Sequence, residues 1–271
     1  MRWSVLFLSA VLLLLCACEL DGFLFNAKQI DRYTLPNNTI PDSLIHPVTF
    51  TSGGHRLHGF YVHASDPQNR LTLLYCHGNK HNIDHYWDRV MLLHKLGHVL
   101  VFDYRGFGLS EGEPSESGLL RDGEAALRWL LEQIGPAPDS LLLYGFSLGN
   151  VVSIHLAAEV IRPLGLIAEA PFASANSLTQ GSLAMDLPPG WLTDGEFDNA
   201  GAIKKISTPL LLIHGEDDDF VRYRDNGRVL FNNAPAPKTL LLVPDAGHSD
   251  IPNVLGGALY LEKLKAWIRS L

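Results

Sequence analysis

Short, almost continuous apolar runs alternate with longer amphipathic stretches along most of the chain. The first two runs, residues 47–50 and 57–62, flank a turn that contains Gly53 and Gly54, and this arrangement predicts a β-hairpin. The later runs are mostly apolar throughout, as strands buried on both faces of a parallel sheet must be. They lie at residues 71–76, 98–102, 140–144, 165–168, 209–213 and 239–243. The pattern therefore predicts eight strands.

Amphipathic stretches with a helical period lie between these strands. They cover residues 83–96, 116–131, 148–161, 222–232 and 254–271. Because strands and helices alternate, we expect an α/β fold. It would have a mostly parallel eight-stranded sheet with right-handed crossovers and helices on both faces.

One long segment interrupts the alternation between the sixth and seventh predicted strands. It runs from Pro171 to Thr208, and an ordinary crossover is much shorter. We expect residues 172–207 to form a small cap over the active site, with apolar residues that line a pocket for an acyl chain or an alcohol. The alternative is that these residues seal the core beneath a long loop.

The composition is typical of one large globular domain, which we place at residues 44–271. The chain has 271 residues, is 46% hydrophobic and carries a net charge of -8. It contains no run of lysine and arginine. A nucleic-acid partner is therefore not expected, because proteins that bind the phosphate backbone of nucleic acids normally show a clustered basic surface.

The first residues have the pattern of a targeting segment. Arg2 precedes an apolar stretch from Val5 to Leu15, which has the proportions of a secretory signal and is short for a bilayer span. We expect residues 1–17 to be a signal peptide. The mixed composition of residues 18–43 then predicts a tether to the domain.

The end of the apolar stretch resembles the lipobox of bacterial lipoproteins. Leu15 stands three residues before Cys18, and the small residue Ala17 directly precedes that cysteine. The resemblance implies that Cys18 is lipidated and that the protein is an exported lipoprotein, anchored to a membrane of the bacterial cell envelope. The alternatives are a cleaved signal without lipidation and a retained N-terminal anchor helix.

The pentapeptide Gly145-Phe146-Ser147-Leu148-Gly149 follows a predicted strand and precedes a predicted helix. A serine on so sharp a strand-to-helix turn is exposed at the carboxyl end of the sheet, and small residues beside it avoid collisions. Ser147 is therefore the candidate nucleophile.

An acid and a histidine follow in the order that a serine hydrolase of this kind requires. A loop with Asp217, Asp218 and Asp219 comes after the seventh predicted strand, and His248 comes after the eighth. Each candidate lies beyond the carboxyl end of a strand, where open parallel sheets bind their ligands.

From about Ile45 to Leu271 the chain resembles the α/β-hydrolase superfamily, most closely its membrane-associated ABHD branch and bacterial relatives. Besides the serine turn, the resemblance rests on His77-Gly78-Asn79 and on the loop 103–112, which is similar to the pattern D-x-R-G-x-G-x-S. The family pattern G-x-x-D-x-x-V selects Asp218 as the acid, with Asp217 and Asp219 as alternatives. The resemblance also implies that the backbone amides of Asn79 and Leu148 form the oxyanion hole.

The resemblance implies an enzyme that hydrolyses carboxylic esters or thioesters through an acyl-Ser147 intermediate, without a cofactor. Lipid-like acyl substrates are favoured, among them lysophospholipids and monoacylglycerols. Two alternatives stay open: a serine peptidase on the same fold, and a membrane-tethered binding protein without turnover. The serine at the elbow argues against dehalogenases and epoxide hydrolases, which use an aspartate there.

Three histidines, His77, His81 and His85, invite a metal site because they are spaced by four residues. We expect none, since His77 ends a strand while His81 begins a helix, and neither a carboxylate nor a cysteine completes a motif. The acidic run near Asp218 also lacks the ligand spacing of a calcium loop.

Overall fold

The computed structural model describes residues 25–181, 196–235 and 237–271. The strands within these ranges are numbered in chain order. They are β1 Asn26–Ala27, β2 Ile45–Ser52, β3 His55–Val62, β4 Thr72–Cys76, β5 Lys80–His81, β6 His98–Phe102, β7 Leu141–Phe146, β8 Gly165–Glu169, β9 Leu210–Gly215 and β10 Lys238–Val243.

Eight of these strands form one sheet in the order β10-β9-β8-β7-β4-β6-β3-β2. The β2–β3 hairpin is antiparallel, β3 is antiparallel to β6, and the remaining neighbours are parallel. Every residue of β4, β7, β8 and β9 is buried, which explains their continuous apolar sequences. The predicted eight-stranded, mostly parallel sheet is confirmed.

Helices cover both faces of the sheet. They are α1 Ile83–Leu93, α2 Glu116–Gln133, α3 Gly149–His155, α4 Ala175–Gly181, α5 Asn199–Ala202, α6 Gly227–Asn233, α7 Ile251–Leu255 and α8 Gly257–Ile268. Alternate residues of each strand belong to two separate cores: Leu74 packs with α2 and α3, whereas Tyr75 packs with α1 and α8. The α/β-hydrolase fold predicted from the sequence is therefore confirmed, with helices on both faces.

The helix boundaries differ from the prediction in places. The predicted helix 254–271 is two helices, because Gly256 adopts a φ of 75° and ends α7. The helix predicted from residue 222 begins only at Gly227, and the one predicted to reach residue 96 ends at Leu93. Beyond α3 the chain continues as a π-helical turn, Leu156–Val160.

Residues 25–44, here called the N-terminal strap, pack on the domain. Phe25 is buried against Phe107 and Phe197, with ring centroids 6.4 and 6.3 Å away. Further along, Asp84 accepts hydrogen bonds from the backbone N–H groups of Thr34 and Leu35. Over its described length the predicted tether is therefore part of the domain surface. The predicted signal peptide and the predicted lipidation site Cys18 lie outside the described residues.

Only the two ends of the predicted cap are described. The first end carries α4 and the second carries α5, whose N-cap Asp198 accepts a hydrogen bond from the Gly201 N–H at 2.8 Å. Residues 182–195 lie outside the described ranges, so the cap stays a prediction. In the ranges that are described, no helix combines the length and apolar character needed to cross a bilayer.

Candidate active site

The turn between β7 and α3 presents Ser147 at the carboxyl edge of the sheet. Its φ is 50°, a left-handed value that is unusual for a residue with a side chain. Steric contacts explain why both motif positions, 145 and 149, are glycine. A Cβ at Gly149 would lie 1.9 Å from the Cys76 carbonyl oxygen, and one at Gly145 would lie 2.3 Å from Ser153 Oγ. The backbone contact cannot relax, so the turn requires glycine at 149.

The neighbouring strand β8 holds this turn in place. The Ser147 N–H donates to the Glu169 carbonyl oxygen at 3.0 Å, and Asn150 Nδ2 donates to the same oxygen at 2.8 Å. Asn150 Nδ2 also donates to the Ser147 carbonyl oxygen at 3.0 Å. These bonds oppose relaxation of the strained serine, since any shift of the turn would leave buried polar groups unpaired.

The structure brings the three predicted triad residues together. His248 Nε2 lies 2.9 Å from Ser147 Oγ, and His248 Nδ1 lies 2.8 Å from Asp218 Oδ2. Because a carboxylate only accepts hydrogen bonds, Nδ1 carries the proton and Nε2 is left to accept from the serine hydroxyl. This arrangement leaves His248 oriented as a general base toward Ser147.

Asp218 is the carboxylate of the acidic loop that faces inward. It is buried, whereas Asp217 and Asp219 are exposed. Its Oδ1 accepts the backbone N–H groups of Phe220 and Val221 at 3.1 and 2.7 Å. Burial raises the pKa of Asp218, but the hydrogen bonds from its histidine and backbone partners outweigh burial and lower that pKa to about 2. Asp218 is therefore ionised at neutral pH.

His214 supports this carboxylate and was not singled out from the sequence. It is fully buried at the end of β9, its Nε2 donates to the Val221 carbonyl oxygen at 2.7 Å, and the same nitrogen lies 3.5 Å from Asp218 Oδ2. A Cβ at Gly227 would lie 2.5 Å from His214 Nδ1, so the imidazole packs directly against this glycine. Its position directly before the acidic loop was the available signal.

The two family-like loops beside the triad are joined by Asp103. His77 is buried, and its Nε2 lies 3.1 Å from Asp103 Oδ1. The other oxygen of Asp103 accepts the Tyr33 hydroxyl at 2.7 Å. His77 thus has a structural partner inside the domain. No group of three or more His, Cys, Asp or Glu side chains suited to a metal ion occurs among the residues that are described.

The N-terminal strap contacts the loop that carries Asn79, which the sequence did not indicate. The backbone N–H of Asn26 donates to Asn79 Oδ1 at 3.0 Å. Strand β1 then pairs in parallel with β5, joining Asn26 to Lys80 and Ala27 to His81. The strap therefore holds the loop that follows the Cys76 strand.

A groove of about 720 Å³ opens at the triad and runs along α1. Ser147, His248 and Asn79 all line it, so the predicted nucleophile, base and oxyanion-loop residue share one space. Phe220 stands at its edge, 59% exposed, with its ring 5.0 Å from the His248 ring. The groove offers both polar and apolar walls to a ligand.

Fold and site together define an α/β hydrolase with a Ser, His and Asp arrangement at the carboxyl edge of the sheet. No family model matches the chain. It is 33% identical over 235 residues to the uncharacterised protein YfhR of Escherichia coli K12, covering 82% of this chain and 80% of that protein. It is also 33% identical over 223 residues to human alpha/beta hydrolase domain-containing protein 17B, covering 82% and 74%. The chain therefore belongs to the α/β-hydrolase family.

Solved structures share the fold at lower identity. The Pyrococcus furiosus esterase Pf2001 superimposes with a TM-score of 0.72 at 22% identity, over 90% of this chain and 98% of that chain. An α/β hydrolase from Vibrio vulnificus gives 0.70 at 20% identity, over 83% and 81%. Both support the architecture that places the triad residues.

Proposed function

We propose that the protein hydrolyses carboxylic esters or thioesters through an acyl-Ser147 intermediate. The observation that carries the proposal is the continuous hydrogen-bond path from Asp218 through His248 to Ser147, at 2.8 and 2.9 Å. The esterase Pf2001 and the hydrolases of similar fold support the reaction class.

The geometry accounts for each proton in the reaction. Ser147 Oγ attacks the acyl carbonyl carbon while its proton moves to His248 Nε2, and Asp218 stabilises the imidazolium that forms. The bond from the carbonyl carbon to the leaving oxygen or sulfur then breaks, and His248 returns the proton to that atom. A water molecule repeats the sequence to release the acid and restore Ser147.

Two backbone amides would stabilise the negative oxygen of the tetrahedral intermediate. Leu148 N–H stands at the start of α3, where the first amides of a helix have no partner within the helix. Asn79 lines the same groove as Ser147 and lies on the loop after β4. Each such donor typically contributes about 10²–10³ in rate.

The groove supports an acyl ester with an apolar part. Met91 and Leu92 on α1 and Phe220 opposite the base line it together with Ser147. An acyl chain would bury apolar area against these side chains, at about 25 cal/mol per Å² removed from water.

Covalent labelling of Ser147 with a fluorophosphonate probe tests the proposal. The folded native protein is expected to be labelled, and Ser147→Ala to be unlabelled. Ser249→Ala is the matched control, because Ser249 also lines the groove but lies outside the hydrogen-bond path. Absence of labelling in folded native protein would instead favour a binding protein without turnover.

A matched series of butyryl compounds separates esterase from peptidase activity. The oxygen ester, the thioester and the amide of the same acyl group differ only in the leaving atom. We expect turnover of the ester and the thioester. Amide cleavage at a comparable kcat/KM would favour the peptidase alternative.

We also propose that Cys18 is acylated and anchors the enzyme to a membrane of the bacterial envelope. The support is the lipobox-like sequence Leu15-Cys16-Ala17-Cys18 behind an apolar stretch. Metabolic labelling with a fatty-acid probe is expected to mark the native chain and Cys16→Ser but not Cys18→Ser. Equal labelling of all three would contradict the assignment.

A further inference from the structure

A buried cluster connects α1 and α8 to the strand beside Ser147. The Glu169 carboxylate is fully buried and accepts hydrogen bonds from Arg89 Nη1, from the Tyr144 hydroxyl, and from the Tyr260 hydroxyl at 2.6 Å. Burial raises the pKa of Glu169, but the charge of Arg89 and the three hydrogen bonds outweigh burial and hold that pKa below its ordinary value. The pair is therefore ionic.

Arg89 uses only one end of its guanidinium inside this cluster. Its hydrogen bonds to Tyr144 at 2.8 Å, to Glu169 and to Tyr260 at 3.5 Å all come from Nη1. Within the described residues, Nε and Nη2 have no hydrogen-bond partner. These two nitrogens form the side edge of the guanidinium, which binds carboxylates and phosphates with two parallel hydrogen bonds.

The same side chain lines the groove that holds Ser147. Its side chain is only 10% exposed, and its guanidinium carbon lies 5.3 Å from the centre of the Phe146 ring, next to the nucleophile. Glu169 and Phe146 fix the guanidinium, so little conformational entropy is lost when a ligand binds. An immobilised arginine that lines a cleft and has an unpaired edge can bind an anion.

The charge of the groove agrees with this assignment. Among the described residues, its lining includes the lysines Lys80 and Lys95 and one carboxylate, Asp88, while buried Glu169 balances the charge of Arg89. The chain as a whole is acidic, with 29 Asp and Glu against 21 Lys and Arg. The two lysines thus give the described lining a small excess of positive charge on an acidic protein, which favours anionic ligands.

We propose that Arg89 binds an anionic oxygen group of the substrate, a phosphate or a carboxylate, in the groove beside Ser147. This deepens the proposed function, on which it rests for the reaction. It narrows the substrates to esters or thioesters that carry a negative charge within reach of the scissile carbonyl. Lys80 and Lys95 would add long-range attraction, which salt weakens.

Matched substrate pairs measure the preference. Butyryl-glycerol is compared with butyryl-glycerol phosphate, which places the charge on the alcohol. Ethyl butyrate is compared with the monoethyl ester of succinic acid, which places it on the acyl chain. For at least one pair, kcat/KM is expected to be about tenfold higher for the anionic member. This is the factor that one charge-assisted hydrogen bond contributes. The pair that shows it identifies where the charge is carried.

The Arg89→Lys variant keeps a cation beside Glu169 but removes the bidentate edge. We expect the anionic-to-neutral ratio of kcat/KM to fall to near one, whereas Lys204→Ala, an exposed lysine outside the groove, keeps the native ratio. If circular dichroism shows that Arg89→Lys is unfolded, the double variant Lys80→Ala with Lys95→Ala is measured instead. Its anionic-to-neutral ratio of kcat/KM is expected to fall about threefold, which is the effect of removing two exposed charges. No preference in the native protein, or an unchanged ratio in the folded variants, would overturn the proposal.

A binding measurement separates this proposal from the proposed reaction. Glycerol 3-phosphate is titrated into the native protein, Ser147→Ala and Arg89→Lys, and the shift in unfolding temperature is recorded. Stabilisation of the first two but not of the third supports the subsite, whether or not esters are turned over. Equal shifts in all three would remove it, even if the fluorophosphonate probe labels Ser147.

Discussion

The backbone N–H of Asn26 donates to Asn79 Oδ1 at 3.0 Å, so the N-terminal strap is joined to the loop that bears the proposed oxyanion amide. Two further backbone contacts, the pairing of β1 with β5 and the bond from the Lys28 N–H to the His81 carbonyl oxygen at 3.0 Å, extend this connection. We therefore expect the strap to position this loop beside Ser147.

Replacing Asn79 with alanine is expected to lower kcat about tenfold with little change in KM. The loop would lose its side-chain connection to the strap, and small displacements of a catalytic amide reduce rates by such factors. Steady-state kinetics with an ester substrate checks this. Asn232→Ala, an exposed asparagine on α6, is the control and should retain native kinetics. An unchanged kcat in Asn79→Ala would show that this contact with the strap does not contribute to catalysis.

Asp218→Asn is expected to lower kcat by about 10⁴, because the amide no longer stabilises the charged, correctly oriented imidazole. Asp217→Asn and Asp219→Asn should stay within about twofold of the native enzyme, since both side chains are exposed. The three variants differ only in which carboxylate becomes an amide, and kcat for one ester substrate compares them. Equal losses in all three, or a larger loss at 217 or 219, would contradict the assignment of the acid.

The same carboxylate is expected to make folding stability depend on pH. Its pKa of about 2 in the folded protein lies below the ordinary value near 4 in an unfolded chain. The ionised form is thus favoured by folding, so its contribution, about 2 kcal/mol, is complete above about pH 4 and is lost as the pH falls toward 2. Urea unfolding of the native protein and Asp218→Asn between pH 2 and 6 measures it. The difference between the two should shrink below pH 4; a constant difference would show that the pKa is not lowered.

His214→Leu is expected to reduce kcat about tenfold and to raise the pKa of Asp218. The leucine fills similar space but cannot donate to the Val221 carbonyl oxygen or face the carboxylate. His214→Gln, which retains a donor, should recover part of the activity. His155→Ala is the control. Its imidazole lies outside the triad, and its Nε2 is 2.8 Å from Glu124 Oε1. Full activity of His214→Leu would reduce His214 to a packing role.

Much of the fold followed from the sequence because its signals are local. Apolar runs such as Leu141–Phe146 identify buried strands, and the sharp turn at Ser147 follows from its flanking glycines. The triad geometry requires only that loops after parallel strands meet at one edge. Strand and helix periodicity was therefore enough to predict the architecture around the candidate site.

What the sequence did not indicate depends on contacts between distant segments. Strand β1 has only two residues and no pattern, and its position is set by pairing with β5. Arg89 is one of several polar positions in the predicted helix 83–96, and its partner Glu169 is 80 residues away. An ion pair between distant segments does not change the apolar periodicity of either one, so the sequence pattern does not predict it.

Glu169 serves two neighbours through two different groups. Its backbone carbonyl holds the Ser147 amide, and its carboxylate holds the Arg89 guanidinium. One residue of the rigid sheet thus links the backbone of the proposed nucleophile to the guanidinium of Arg89. Under the two proposals above, this link would fix how many bonds separate the negative charge of a substrate from its ester carbonyl.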